Sequence, residues 1–171
     1  MNNRKSLTRL AVAALLVALG VLLSPLSVPV GAAKIFPVQH ALNVMAAVIL
    51  GCRYGTAAAF CVSTLRNILG MGTVLAYPGS MCGAFLSAFM YKRTGSVYAA
   101  AIGEVVGTGI LGGLISWPVG SYILGSAGAT WFFFIVAFLP STVIGSIVGT
   151  LVCKVLPLER LKEYLYKIRL F

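Results

Sequence analysis

The sequence is poor in charge, and in negative charge above all. Thirteen lysines and arginines stand against three acidic residues, Glu104, Glu159 and Glu163, and charged residues make up only 9% of the 171 positions. Aspartate is absent and histidine occurs once, as His40. A Ser/His/Asp constellation is thereby excluded, and no enzyme activity is expected. No phosphate-cradling loop of the GxxxxGK(S/T) kind is present, because the glycines around Gly70, Gly72 and Gly79 are not followed by lysine. The chain therefore does not hydrolyse ATP itself. Four cysteines, Cys52, Cys61, Cys82 and Cys153, lack the CxxC spacing of a zinc or redox site and read as small packing residues, so neither metal nor cofactor is expected in this chain.

Apolar residues fill the gap. They make up 60% of the chain, and the mean hydropathy is +1.00. A soluble domain of this size has no use for so much apolar surface, so the expected solvent is lipid. Gly, Pro and charge punctuate the sequence into spans near 7–23, 40–51, 55–70, 78–91, 96–116 and 131–153. The second and third are shorter than the roughly 20 residues that cross a bilayer core and by themselves read equally as re-entrant segments. Charge placement argues that both cross. With the N-terminus inside, Arg4, Lys5, Arg9, Arg53, Lys92, Arg93, Lys154, Arg160, Lys162, Lys167 and Arg169 all fall on the cytoplasmic side. Only Lys34, in the first outer loop, and Arg66, inside the third span, do not. The net charge of +10 then reports orientation and not a nucleic-acid partner. The expected fold is an all-α integral membrane protein, a compact bundle of six transmembrane helices over 1–156 with both termini cytoplasmic. The residues 157–171 form a basic amphipathic tail, with Leu158, Leu161, Leu165 and Ile168 at helical spacing on the inner membrane surface. A cleaved signal peptide is the rival reading of the N-terminus, but Gly31-Ala32-Ala33 makes a weak cleavage site and the first helix is expected to stay.

Charged residues buried in lipid are costly, which singles out Arg66 and Glu104. At ~1.5 Å rise per residue they reach depths of ~16 Å and ~14 Å from the inner side and can meet at one level. They read either as an ion pair fixing helix packing or as part of a ligand site. Glycines four apart, at 79/83, 103/107, 109/113 and 145/149, allow close helix packing. In the first span Ala11, Ala14 and Ala18 form a narrow small-residue stripe, suited to internal packing or to a partner. The loops assigned to the outer side, Ser24–Gln39, Met71–Pro78 and Trp117–Thr130, are long and rich in Pro, Gly and aromatics, whereas the inner turns are short. The outer face is the expected recognition face, with His40, Asn43, Asn67, Tyr77, Trp117 and Tyr122 as candidate lining groups.

Six short helices, a basic N-terminus, an alanine stripe in span one and a long first outer loop resemble the substrate-binding S components of energy-coupling factor importers. The stretch Arg66-Asn67-Ile68-Leu69-Gly70-Met71-Gly72-Thr73, then Ala76-Tyr77-Pro78-Gly79-Ser80-Met81, and Phe36-Pro37-Val38-Gln39-His40 resemble the ThiW branch, associated with the thiazole precursor of thiamine. The resemblance implies a bacterial plasma-membrane subunit that captures hydroxyethylthiazole or a related precursor from outside. A separate transmembrane coupling protein would meet Ala14 and Ala18, and Ala11 less directly, and a pair of cytoplasmic ATPases would use the ATP. For that ligand the expected site has Glu104, if kept protonated by burial, donating to the ring nitrogen while Asn67, His40 or Asn43 holds the hydroxyl. Three alternatives remain: an S component for another vitamin or precursor, such as the pyrimidine half of thiamine, a self-sufficient ion-coupled carrier or channel, and a membrane scaffold without a small ligand.

Overall fold

The computed structural model describes residues 2–30, 33–123, 125 and 130–156. The tail expected over 157–171 lies outside them. Six helices follow the six apolar stretches: α1 (Asn2–Leu22), α2 (Pro37–Ile49), α3 (Gly51–Ile68), α4 (Ala76–Thr94), α5 (Val97–Tyr122) and α6 (Trp131–Val155). Of these, α5 and α6 are each long and apolar enough to cross a membrane. The first loop departs from the all-α expectation. After a 3₁₀ turn at Ser24–Leu26 it forms a two-stranded antiparallel hairpin, β1 (Val28–Val30) against β2 (Ala33–Ile35), with Val28 opposite Ile35. Proline and β-branched residues in this segment disfavour helix and suit an extended pair.

The turns on one side are tight because glycine makes them so. Gly51, at φ +74°, reverses the chain directly between α2 and α3, and Gly95, at φ +68°, closes α4 with its N–H on the Tyr91 carbonyl. Both positions need the left-handed region that glycine enters without a steric penalty. On the other side lie the hairpin strands and the loop between α3 and α4.

Helix α2 is the axis of the bundle. It packs on α3, α4, α5 and α6, and its residues from Gln39 to Ile49 are buried except Met45. At 13 residues and ~1.5 Å rise it is ~20 Å long, short of the ~30 Å hydrocarbon core of a bilayer. The hairpin leads straight into its first turn. Helix α1 lies outside, against α2 and α3, through Leu16 and Gly20, the latter against Val62 and Leu42. Its residues Ala11, Ala14 and Ala18 are exposed, so the small-residue stripe faces outward and not into the bundle. Large apolar side chains including Ile110, Leu114, Phe132, Ile144, Ile147 and Leu151 are exposed along α5 and α6, a surface suited to lipid.

Two backbone contacts set the depth of the packing. A Cβ on Gly112 would fall 2.5 Å from the Gly79 Cα, where α5 crosses α4, and a Cβ on Gly145 would collide with the Pro37 carbonyl, where α6 meets the first turn of α2. Residues 105–112 of α5 are wound as a π-helix, a wider turn for which four glycines between 107 and 113 remove the side-chain crowding. The sequence carries no distinct signal for it beyond those glycines.

Gly145→Val is expected to separate α6 from α2 and to destabilise the folded state by about 2 kcal/mol or more, as overpacking a rigid backbone contact does. Thermal denaturation in mild detergent checks this, and an unchanged midpoint would contradict the packing described.

Candidate functional site

The described polar side chains buried at the centre form one connected system across four helices. Arg66, near the end of α3, donates from Nη1 to Gln39 Oε1 at 2.5 Å. Gln39 Nε2 donates to Ser80 Oγ at 2.6 Å and to Ser63 Oγ at 3.1 Å. Asn43, one turn along α2 from Gln39, contacts Ser80 Oγ at 3.2 Å and donates to Glu104 Oε1 at 3.0 Å. Glu104 Oε1 also accepts from Thr108 Oγ1 at 2.9 Å and contacts His40 Nδ1 at 2.8 Å. Arg66 and Glu104, at 2% and 0% exposure, are thus linked through Gln39, Ser80 and Asn43, and not by the direct ion pair that their shared depth suggested.

This arrangement fixes the histidine. Oε1 serves as acceptor for Asn43 and Thr108, so the contact with His40 assigns the proton to Nδ1 and leaves Nε2 as the other polar atom of the ring. Gly83 makes room for the carboxylate: a Cβ there would meet Glu104 Oε2 at 2.6 Å and overlap the Thr108 hydroxyl. Oε2 itself is buried without a hydrogen-bond partner.

Against one side of this system lies a small cavity of about 40 Å³. Ile35 and Phe36 bring the end of the hairpin to its wall, Leu75 and Phe138 add apolar surface, and Gln39, His40, Arg66, Thr73, Thr108 and Ser141 supply polar groups. The Arg66 guanidinium carbon sits 4.0 Å from the centre of the Phe36 ring, a cation–π contact. Apolar surface joined to directed polar groups is the usual form of a small-molecule site.

Two of the eight candidate lining residues, His40 and Arg66, reach this wall. Asn43 and Glu104 stand behind it and hold His40 and Ser80, so Glu104 is not placed to donate to a ligand in the cavity. Asn67 donates to the Ser63 and Thr73 carbonyls and shapes the loop after α3. Tyr77 donates to Thr64 Oγ1 at 3.2 Å and its ring packs on Phe60, joining α4 to α3. Trp117 and Tyr122 do not line this cavity. Gly113, Ser116 and Gly120 occupy the buried face of α5, which turns Trp117, 43% exposed, and Tyr122, 86% exposed, to the outside. Sequence reasoning missed Gln39, Thr73, Ser80, Thr108, Phe138 and Ser141. Gln39 lies on the face of Asn43 four residues on, and Thr108 four residues after Glu104. These spacings were available signals.

The chain matches the family described as thiamine-precursor transporter protein (ThiW) over residues 10–159. No curated protein and no solved structure matches.

Glu104→Ala leaves His40 Nδ1, Asn43 and Thr108 without their acceptor and is expected to cost about 3 kcal/mol or more, since each buried donor left unsatisfied costs about 1–3 kcal/mol. Glu104→Gln, which retains an acceptor oxygen, is expected to cost less. Denaturation of the two variants side by side gives the order, and equal stability would remove Glu104 from the network.

Proposed function

The chain belongs to the ThiW family of thiamine-precursor transporters, and on that premise we propose that it is the substrate-capture component of an energy-coupling factor importer. It takes hydroxyethylthiazole or a closely related precursor at the outer face and passes it inward with a separate coupling protein and a pair of ATPases. The observation that carries this reading is the cavity at the hairpin end of the bundle, which joins an apolar slot, Phe36, Leu75 and Phe138, to the polar wall of His40 and Arg66.

In this reading all six helices cross the membrane, both ends of the chain are cytoplasmic, and the tight turns at Gly51 and Gly95 lie inside with Arg53, Lys92 and Arg93. The hairpin is then the outer cover of the site. The short α2 starts below the outer surface, which sinks His40 into the bundle and leaves space above it. The five-membered ring lies between Phe36 and Phe138, where stacking and desolvation supply most of the affinity. His40 Nε2 accepts from the alcohol, because its partner Nδ1 is committed to Glu104.

Transport needs a partner, since no nucleotide-binding loop is present. Exposed Ala11, Ala14 and Ala18 offer a smooth outer face of α1 on which another helix packs closely. That face is on the opposite side of α1 from Leu16 and Gly20, so docking there does not disturb the cavity.

His40→Ala is expected to weaken hydroxyethylthiazole binding to the purified protein about tenfold or more, the value of a hydrogen bond to a buried polar ligand group, with Trp117→Phe and Tyr122→Phe within about twofold of the parent. Calorimetry reads all three, and an unaffected His40→Ala variant would place the ligand elsewhere. In cells carrying the complete importer, Ala14→Trp is expected to retain binding and lose uptake. Normal uptake by that variant would remove α1 from the partner interface.

A further inference from the structure

Among the described residues, seven buried side-chain polar atoms lack a hydrogen-bond partner, and two of them, Arg66 Nε and Ser141 Oγ, belong to residues that line the cavity. Both residues are 2% exposed. The guanidinium has two planar edges for binding an acceptor. The end-on atom Nη1 is taken by Gln39, whereas on the side-on edge Nε is unpartnered and Nη2 has only a 3.4 Å contact with the Met71 carbonyl. The side-on edge matches the two oxygens of a carboxylate or phosphate. Among the described residues none that lines the cavity is acidic, and Glu104 stands behind the wall with Oε1 engaged by three partners. A buried cation without a counter-charge in contact is costly, so an anion arriving there is strongly compensated.

We propose that the cavity is built for a ligand that carries an oxyanion, held side-on by Nε and Nη2 of Arg66 with the Ser141 hydroxyl as a further donor. Resting on the reading of this chain as a thiazole-precursor binder, the inference narrows the substrate to the anionic members of that class: a thiazole carboxylate that keeps the free alcohol for His40 Nε2, or a phosphate ester of that alcohol, in which the alcohol O–H contact with His40 is given up. Phe36, stacked on the guanidinium, holds the edge toward its ligand while adding apolar surface for the ring. Ser141 is then a specificity-determining residue that no composition or spacing pattern marked.

The test uses the full chain purified in mild detergent and three probes, hydroxyethylthiazole, its phosphate monoester and a carboxylate of the same ring, with affinities read by calorimetry. At least one anionic probe is expected to bind about tenfold or more tightly than the alcohol, and which one does identifies the oxyanion. Arg66→Lys keeps the charge and removes the planar edge, so the preference should fall to within about twofold. Ser141→Ala, a smaller change that serves if Arg66→Lys does not fold, should weaken the anionic probe about threefold or more beyond any effect on the alcohol. If the alcohol binds as tightly as both anions, the oxyanion inference is overturned and the thiazole reading stands. If none of the three binds, both fall.

Discussion

Placing an arginine and a glutamate inside an apolar bundle is the constraint on which the rest of this structure depends. Neither charge is tolerated in such a medium without dense hydrogen bonding, and direct pairing would leave the guanidinium closed to any ligand. The chain instead spaces the charges apart and links them through Gln39, Ser80 and Asn43, with Glu104 Oε1 held by three protein groups and Arg66 Nε and Glu104 Oε2 left without partners. Its hydrogen bonds run from α2 to each of α3, α4 and α5, which ties the positions of these helices to one another.

That tie explains features of the packing that have no other evident cause. Glycines at 79, 83, 107 and 112 let α4 and α5 approach until the Glu104 carboxylate and the Thr108 hydroxyl fit against bare backbone. The π-helical stretch follows Glu104 directly and contains Thr108, which donates back to the carboxylate. Such stretches recur at functional sites because they re-aim side chains within a helix. The hairpin and the short α2 belong to the same design: a full-length second helix would carry its first turn through the space that the cavity occupies.

Much of the fold was legible because its signals are collective. Apolar length, the distribution of basic residues and glycine punctuation each sum over many positions, and they placed six helices and the short turns at Gly51 and Gly95. The hairpin was not legible, since Val28–Ile35 is too short for period-two alternation to stand out from a proline-containing loop. At the site, rarity was informative: the single histidine and the two charges of the apolar spans, His40, Arg66 and Glu104, all belong to the central network. What each faces depends on helical phase and on side-chain reach, which spacing alone does not give. Trp117 and Tyr122 drew attention as aromatics near a loop, yet the small residues beside them own the buried face. Ser141 is one hydroxyl among many in α6, and only its lack of a partner at the cavity wall distinguishes it.

A buried polar core, an unpartnered guanidinium nitrogen and a smooth first helix suit the proposed capture role, in which the chain holds a small molecule while other proteins drive its passage. The most direct test is to isolate the protein from cells in mild detergent, release its small molecules and identify them by mass spectrometry, alongside the Arg66→Lys variant isolated in the same way. The account predicts a thiazole carrying a phosphate or carboxylate group, near one per chain in the parent and strongly depleted in the variant. Recovery of no thiazole from the parent, or of equal amounts from both proteins, would contradict it.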